Sequence, residues 1–378
     1  MKILELTNFS SGICGVWTRA KQESIEFSKI GHEVLVISSN AIKGSNKIAK
    51  QYENLGKVKI MRFPYIKLGG ESFMYWFRKE AEKAALKFSP DVIIAHNYRH
   101  LHTTKALEIK KTLERKGKRC RVFLVTHAPF VEGNITRTKL QTFIVNFYDK
   151  FIGPLILNKF DRIIAISKWE IPYLIKCRAK KEKIIYIPNT IPDEFFKLKR
   201  QSKEENKILF LGRISPKKKI ETVLCAIPFI KNKEVKFEIV GPAEENYKDF
   251  LLNLIQKLKI QRRVVFSSPV YDLKEKIKKL DSAKIFILPS RVEGMPQALI
   301  EAMARKKVVI GSDSIAIRDL IKNGYNGYLF EFNDPTDLAS KIDLILSKDN
   351  SKLKQNAFNS AKNFCLSKFK NKLRQIIK

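Results

Sequence analysis

Apolar residues along this chain gather in short runs of strand type, and between most of those runs they recur every three or four positions, as on one face of a helix. The runs fall at 2–7, 33–38, 58–62, 91–95, 121–126, 161–166 and 183–187, and again at 206–211, 235–240, 263–267, 284–288, 306–311 and 327–330. Such alternation predicts an α/β fold of two doubly wound domains. Their boundary is placed in Pro188–Gln201, a stretch rich in proline, polar and charged residues that follows a strand. The expected domains are therefore 1–190 and 191–360, with 361–378 as a closing helix.

Composition narrows the class. A chain of 378 residues with 44% hydrophobic and 29% charged residues suits two soluble domains, each able to bury its own core. No run of eighteen apolar residues occurs, and the chain opens on the strand Ile3-Leu4-Glu5-Leu6 without a signal-peptide pattern. Cys14, Cys120, Cys177, Cys225 and Cys365 are odd in number and lack a CxxC spacing, as expected of free thiols in a reducing compartment. A cytoplasmic location follows as the expectation.

The densest chemistry lies in Ser290-Arg291-Val292-Glu293-Gly294-Met295-Pro296-Gln297, continuing through Glu301 to Met303. The run Lys284–Leu288 predicts a strand, Pro289–Met295 a loop, and Pro296 the first position of a helix. A helix starting there aims unpaired N–H groups and the positive end of its dipole at the carboxyl edge of the sheet, a place that welcomes phosphate. Glu293 precedes the helix and Glu301 lies inside it, about a turn and a half on. Two carboxylates so placed can accept hydrogen bonds from sugar hydroxyls.

Upstream, Asn206–Leu211 predicts a strand that ends at Gly212-Arg213, with Ser215-Pro216-Lys217-Lys218-Lys219 beyond it. The planar fork of Arg213 and the compact charge of Lys218 suit a diphosphate whose charge grows as it leaves a sugar. Lys217 and Lys219 read as solvated members of a lysine run.

Together these motifs resemble the retaining GT-B glycosyltransferases of family GT4. Gly-Arg with a lysine five residues on is matched by Arg213 and Lys218, and Glu-x7-Glu by Glu293 and Glu301. Near the start, Cys14-Gly15 followed by Gly31-His32-Glu33-Val34 is similar to the family's paired-glycine loop and its Gly-His-Glu-Val turn. The chain departs from the pattern at Cys14, which replaces a glycine, at Pro188-Asn189-Thr190, where Pro-Asn-Gly is usual, and at Asp313-Ser314-Ile315-Ala316, where a Gly-Gly turn is expected. Asp319 stands where a Glu is common.

The resemblance implies a GT-B fold, two Rossmann-like domains facing a central cleft, with the nucleotide-sugar donor on the second and the acceptor on the first. It implies transfer of a hexose from a UDP- or GDP-sugar to a hydroxyl of a glycan or lipid-linked acceptor with retention of configuration. Donor-binding residues would be Gly15, Arg213, Lys218, Gly294, Met295, Pro296, Gln297 and Glu301. Glu293 would hold the transferred sugar, Glu301 the ribose, and the leaving diphosphate would take the acceptor's proton in a front-face attack.

His127 ends the run Arg121–Thr126, where the family often places a histidine close to the reacting sugar. His96, ending Ile93-Ile94-Ala95, is a candidate for the acceptor pocket, with a structural histidine as the equal alternative. His32, His100 and His102 read as surface or turn residues. No Asp-x-Asp motif or Cys/His cluster is visible, so neither metal nor cofactor is expected. The helix at the very end is expected, from the resemblance, to cross back to the first domain.

Charge adds a partner class. The formal net charge is +35, divided into +19 over residues 1–190 and +16 over 191–378, with no basic tail. Such a field favours anionic partners, and for this enzyme class an anionic membrane surface bearing the acceptor is the economical one. A lysine-rich genome explains the charge equally well. Ile66–Lys79, where Phe73, Tyr75, Trp76 and Phe77 mix with Lys67, Arg78 and Lys79, is the expected lipid contact. A helical stripe at 140, 143, 144, 147, 148, 151, 152 and 155 is assigned instead to the core. A nucleic-acid-binding protein is the rival from another class, but no motif of that kind is present and specific nucleic acid is not expected. A GT-B sugar-nucleotide epimerase or phosphorylase is the nearer rival.

Overall fold

The computed structural model describes residues 1–12, 14–43, 47–67, 74–130, 138–198 and 204–377, the side chains of Lys67 and of residues 374–377 excepted. The chain forms two compact units, Met1–Pro188 with Lys370–Lys378, and Asn189–Phe369.

In the first unit the strands are β1 (Lys2–Phe9), β2 (Glu33–Ser39), β3 (Tyr52–Leu55), β4 (Val58–Phe63), β5 (Ile66–Lys67), β6 (Met74–Tyr75), β7 (Val92–His96), β8 (Arg121–Val125), β9 (Arg162–Ala165) and β10 (Ile184–Tyr186). Eight of them form one sheet in the order β10-β9-β8-β7-β1-β2-β4-β3, and β5 and β6 form a small ladder of their own. All neighbours in the large sheet are parallel except β3 against β4. Parallel strands covered on both faces read as near-continuous apolar runs. That is why β1, β7 and β8 were legible, and why Glu5 in the middle of β1 is fully buried.

The second unit holds β11 (Glu205–Leu211), β12 (Lys236–Val240), β13 (Val264–Ser267), β14 (Ala283–Leu288), β15 (Val308–Ser312) and β16 (Tyr328–Phe330). They form a parallel sheet in the order β13-β12-β11-β14-β15-β16. The chain builds outward from β11 on one side and then returns to β14 on the other. The carboxyl ends of β11 and β14 therefore meet at a topological switch point, where open α/β sheets bind ligands. In the first unit the same reversal lies between β1 and β7.

Every expected strand forms within a residue or two of its predicted bounds. The additional β3 reads Tyr-Glu-Asn-Leu and lies mostly exposed at a sheet edge, so it has no apolar run to announce it. Two surface expectations are reversed. In Ile66–Lys79, Trp76 and Phe77 are buried, and the Trp76 indole N–H donates to Asn8 Oδ1 at 2.8 Å. The ring packs against Phe77 and His102, so these two aromatics belong to the core rather than to a lipid contact, whereas Ile66 and Tyr75 are exposed; Phe73 lies outside the described residues. Conversely, the helix Lys139–Phe147 buries none of its residues. Helical spacing shows that a helix has an apolar face, not what covers it.

Candidate functional site

Within the second unit, three loops at the carboxyl edge are laced together by their backbones. Gly212 N–H donates to Val240 O at 3.0 Å, Ile214 N–H to Pro242 O at 2.8 Å, and Glu244 N–H to Ile214 O at 2.9 Å. Arg291 N–H donates to Lys217 O at 3.1 Å, which brings in the loop after β14. The tightest point is Gly241, with φ +150°, where an added Cβ would stand 1.9 Å from Gly212 O. Only glycine permits that approach.

This lacing assembles the predicted charges. Lys218, in a single turn Pro216–Lys218, forms an ion pair with Glu293, and both side chains are largely buried. Arg213 remains half-exposed, with Nε 3.5 Å from Glu244 Oε1. The following helix runs Gln297–Ala304, with Pro296 at the N-cap rather than at the first helical position, and no side chain caps it. Its first N–H groups are thus left to a ligand or solvent.

Three predicted donor residues already have partners within this unit. Met295 Sδ accepts from Asn189 N–H at 3.2 Å, Gln297 Nε2 donates to Thr190 O at 3.2 Å, and buried Glu301 is paired with Lys276 from the helix Leu273–Ser282. Gly294 lies in the same loop between Glu293 and Met295. Arg305, gripping Asp281 through two hydrogen bonds of 2.7 and 2.6 Å, also donates to Phe195 O and Lys197 O and fastens the incoming segment.

The first unit carries a buried polar chain at its own switch point. His96 Nε2 lies 2.7 Å from Glu5 Oε2, and His96 Nδ1 lies 2.9 Å from His127 Nε2. Burial holds His96 down at about 4, places His127 well below its usual range, and raises Glu5 well above its own. Both imidazoles are then neutral near pH 7. With the proton on Glu5, the hydrogen bonds run from Glu5 to His96 and on to His127. Glu23, raised chiefly by burial, accepts from Arg19 Nε at 2.7 Å, and Arg19 reaches on to Ile187 O and Pro188 O. Ligand atoms of Glu5, Glu23 and His96 lie within 4.8 Å of one another, the spacing of a cation site. Arg19 supplies a positive charge at that point.

His127 and Ala128 have φ of +58° and +51°, two successive left-handed residues. Glu170 secures them. Its carboxylate accepts from Thr126 Oγ1 at 2.6 Å, Ala128 N–H at 2.9 Å, Ser167 N–H at 3.1 Å and Ile166 N–H, bracketing His127 on both sides. Burial raises Glu170 to about 7 against the pull of those donors. Gly15 opens the helix Gly15–Lys29 after β1, and the space where its Cβ would stand is empty.

Sequence reasoning missed Glu5, Arg19, Glu23 and Glu170. A charge inside an apolar strand could have flagged Glu5, whereas nothing local marks Glu170. It also misplaced His102, which is buried and lies 2.7 Å from His96 O through Nε2; His100, partly exposed at the N-cap of the helix Leu101–Arg115, lies 2.8 Å from Asn8 Nδ2. The core of the first unit needed partners for polar residues on β1 and β7, and these histidines supply them.

What the arrangement can do is divided between the units. The second offers cations, an uncapped helix start and a carboxylate; the first offers a neutral, hydrogen-bonding histidine held in a strained turn. The family model described as Glycosyl transferases group 1 matches residues 192–364, and that described as Glycosyltransferase Family 4 matches residues 13–195. Among curated proteins, the uncharacterized glycosyltransferase MJ1069 of Methanocaldococcus jannaschii is 28% identical over 237 residues, 59% of this chain and 58% of that protein. The GalNAc-alpha-(1->4)-GalNAc-alpha-(1->3)-diNAcBac-PP-undecaprenol alpha-1,4-N-acetyl-D-galactosaminyltransferase of Campylobacter jejuni is 30% identical over 203 residues, 53% of this chain and 55% of that one. The match thus spans little more than half the length of these relatives. Among solved structures, Anabaena Alr3699/HepE in complex with UDP and glucose superposes with a TM-score of 0.72 at 16% identity, covering 100% of this chain and 99% of that one.

Proposed function

From the premise that the chain belongs to the group 1, family 4 glycosyltransferases and has their GT-B fold, we propose that it transfers a hexose from a nucleotide-sugar donor to a hydroxyl of a glycan or lipid-linked acceptor, with retention of configuration. The observation that carries this reading is the cluster of Arg213, Lys218 and Glu293 beside the uncapped start of the helix Gln297–Ala304.

In this reading the donor's diphosphate takes Lys218 from Glu293 and recruits Arg213 and the helix N–H groups. Glu293, so released, accepts hydrogen bonds from the sugar hydroxyls, and Glu301 is directed to the ribose. Charge growing on the leaving diphosphate is met by fixed cations and dipoles, the effect that contributes most to such reactions. The diphosphate takes the acceptor's proton. His127, neutral and fixed by Glu170, acts as a hydrogen-bonding partner at the sugar, and His96 supports it from behind. Gly15 lets a donor or acceptor phosphate approach the start of its helix.

The relatives' names support the substrate classes: the Anabaena protein was captured with UDP, and the Campylobacter enzyme is named for a glycan on PP-undecaprenol. No residue is assigned to a metal, and turnover is expected to persist in chelator. The test is a thermal-shift panel of UDP-, GDP- and ADP-sugars. A shift with one nucleotide family that vanishes in Arg213→Ala is the expected result; no shift with any donor would overturn the reading.

A further inference from the structure

The apolar stripe of residues 140–155 is the largest feature that the proposed reaction does not use. Leu140 is 68% exposed, Phe143 67% and Leu155 67%, with Phe147 and Phe151 about half exposed between them. Phe143, Phe147 and Phe151 stand in series, with ring centroids 6.5 and 4.9 Å apart. The result is an aromatic ridge about 23 Å long at the rise of a helix. Isolated exposed apolar residues need no explanation, but a contiguous ridge of this size marks a contact surface.

The ridge is held outward by its opposite side. Asp149 accepts from Arg99 Nε at 2.8 Å, the Tyr148 ring lies 5.8 Å from that of Tyr98, and Gly153 leaves room for the Tyr98 hydroxyl. Tyr98 and Arg99 follow directly on His96. A helix start closed by a full capping box, Thr138 with Gln141, completes the mount.

Cations rim the ridge. Exposed Lys139 precedes Leu140 in the chain, exposed Lys150 lies 5.3 Å from the Phe151 ring centroid, and exposed Lys159 follows the end of the helix Gly153–Leu157. At its far end Asn158 accepts from Lys180 N–H at 2.9 Å and donates to Arg178 O at 2.9 Å, which binds on a loop whose exposed Lys176, Arg178, Lys180 and Lys181 are opposed by Glu182 alone. An apolar face flanked by cations is the pattern of a helix lying in the interface of an anionic bilayer. A second copy of the chain fits poorly, because a two-fold contact would bring these same cations face to face.

We propose that the face formed by Leu140, Phe143, Phe147, Phe151 and Leu155 docks this protein onto an anionic lipid surface, with the 176–181 loop on the headgroups. The anchorage through Arg99 and Tyr98 then sets the surface beside the polar chain of His96 and His127. That last consequence rests on the proposed transfer to a lipid-linked acceptor; the docking itself does not.

The test uses the full chain and sedimentation with vesicles of phosphatidylcholine alone or mixed with phosphatidylglycerol. Wild type is expected to partition onto the anionic vesicles, Phe143→Ser/Phe147→Ser to lose that partition about tenfold or more, and Lys176→Glu/Lys180→Glu to lose it comparably while weakening its salt dependence. Retained far-UV circular dichroism and donor-induced thermal shift certify that each variant is folded. Equal vesicle binding by the double serine variant overturns the proposal, as does a wild-type dimer that the serine changes disperse. Vesicle binding without any donor shift would instead sink the transferase reading and leave the docking face standing.

Discussion

Replacing Gly241 by alanine probes whether backbone contact between loops holds in place the cations proposed for the donor, Arg213 and Lys218. The new Cβ would lie 1.9 Å from Gly212 O and 2.8 Å from Gly212 C, and the neighbour is backbone, so no rotamer change can relieve it. Holding φ at +150° with a side chain costs about 1–3 kcal/mol, and forcing the strands' ends apart a further ~1–3 kcal/mol. Together the two come to about 4 kcal/mol at mid-range, which corresponds to roughly 8–16 °C in a unit of this size. Arg213 follows Gly212 directly in the chain, so the same shift carries it away, and loss of one charge-assisted contact weakens donor affinity about ten- to a hundredfold. Calorimetry reads the stability, and donor titration reads the affinity. Trp17, Trp76 and Trp169, the only tryptophans of the chain, all lie in the first unit, so their emission reports that unit separately. Gly15→Ala is the matched control, with open space at its Cβ and a stability change expected within about 0.5 kcal/mol. A Gly241→Ala protein with unchanged melting and unchanged donor affinity would refute the reasoning.

Two further outcomes concern the first unit. Glu170→Gln turns an amide N–H₂ toward backbone N–H donors and is expected to destabilise that unit by about 2–4 kcal/mol, seen as an earlier urea midpoint in tryptophan emission; an unmoved midpoint would mean that the His127 turn holds its left-handed residues unaided. His127, its pKa lowered by burial well below the usual 6.5, should stay neutral from pH 6 to 8, its ring ¹⁵N shifts flat across that range. The sign follows from linkage: the unfolded chain takes up this proton below about pH 6.5 while the folded one does not, so this group lowers stability as the solution is acidified and not as it is made alkaline. Titration of His127 near pH 6.5 would contradict the buried chain described above.

How much could be read in advance depended on how local each feature is. The loops of the second unit that we propose hold the donor were legible because strand, glycine and charge follow one another in the chain, as in Gly212-Arg213 through Lys218 and in Glu293 through Glu301. The partners those residues have found were not, since Lys276, Asn189 and Thr190 come from distant segments. His127 and His96 could be placed at strand ends, but their joining to each other and to Glu5 depends on the parallel order β8-β7-β1.

By itself the sequence determined the alternation of strands and helices, the division into two units and the charge, because hydrophobic periodicity and turn chemistry act over a few neighbouring residues. Tertiary structure alone decided which apolar faces are covered. Trp76, read as a surface residue, found Asn8, Phe77 and His102 and went inside, while Leu140, Phe143, Phe147, Phe151 and Leu155 of the stripe stayed exposed and Tyr148 alone turned to Tyr98 among the described residues. Burial is a property of what lies opposite a side chain, and what lies opposite is set by contacts far away in the sequence.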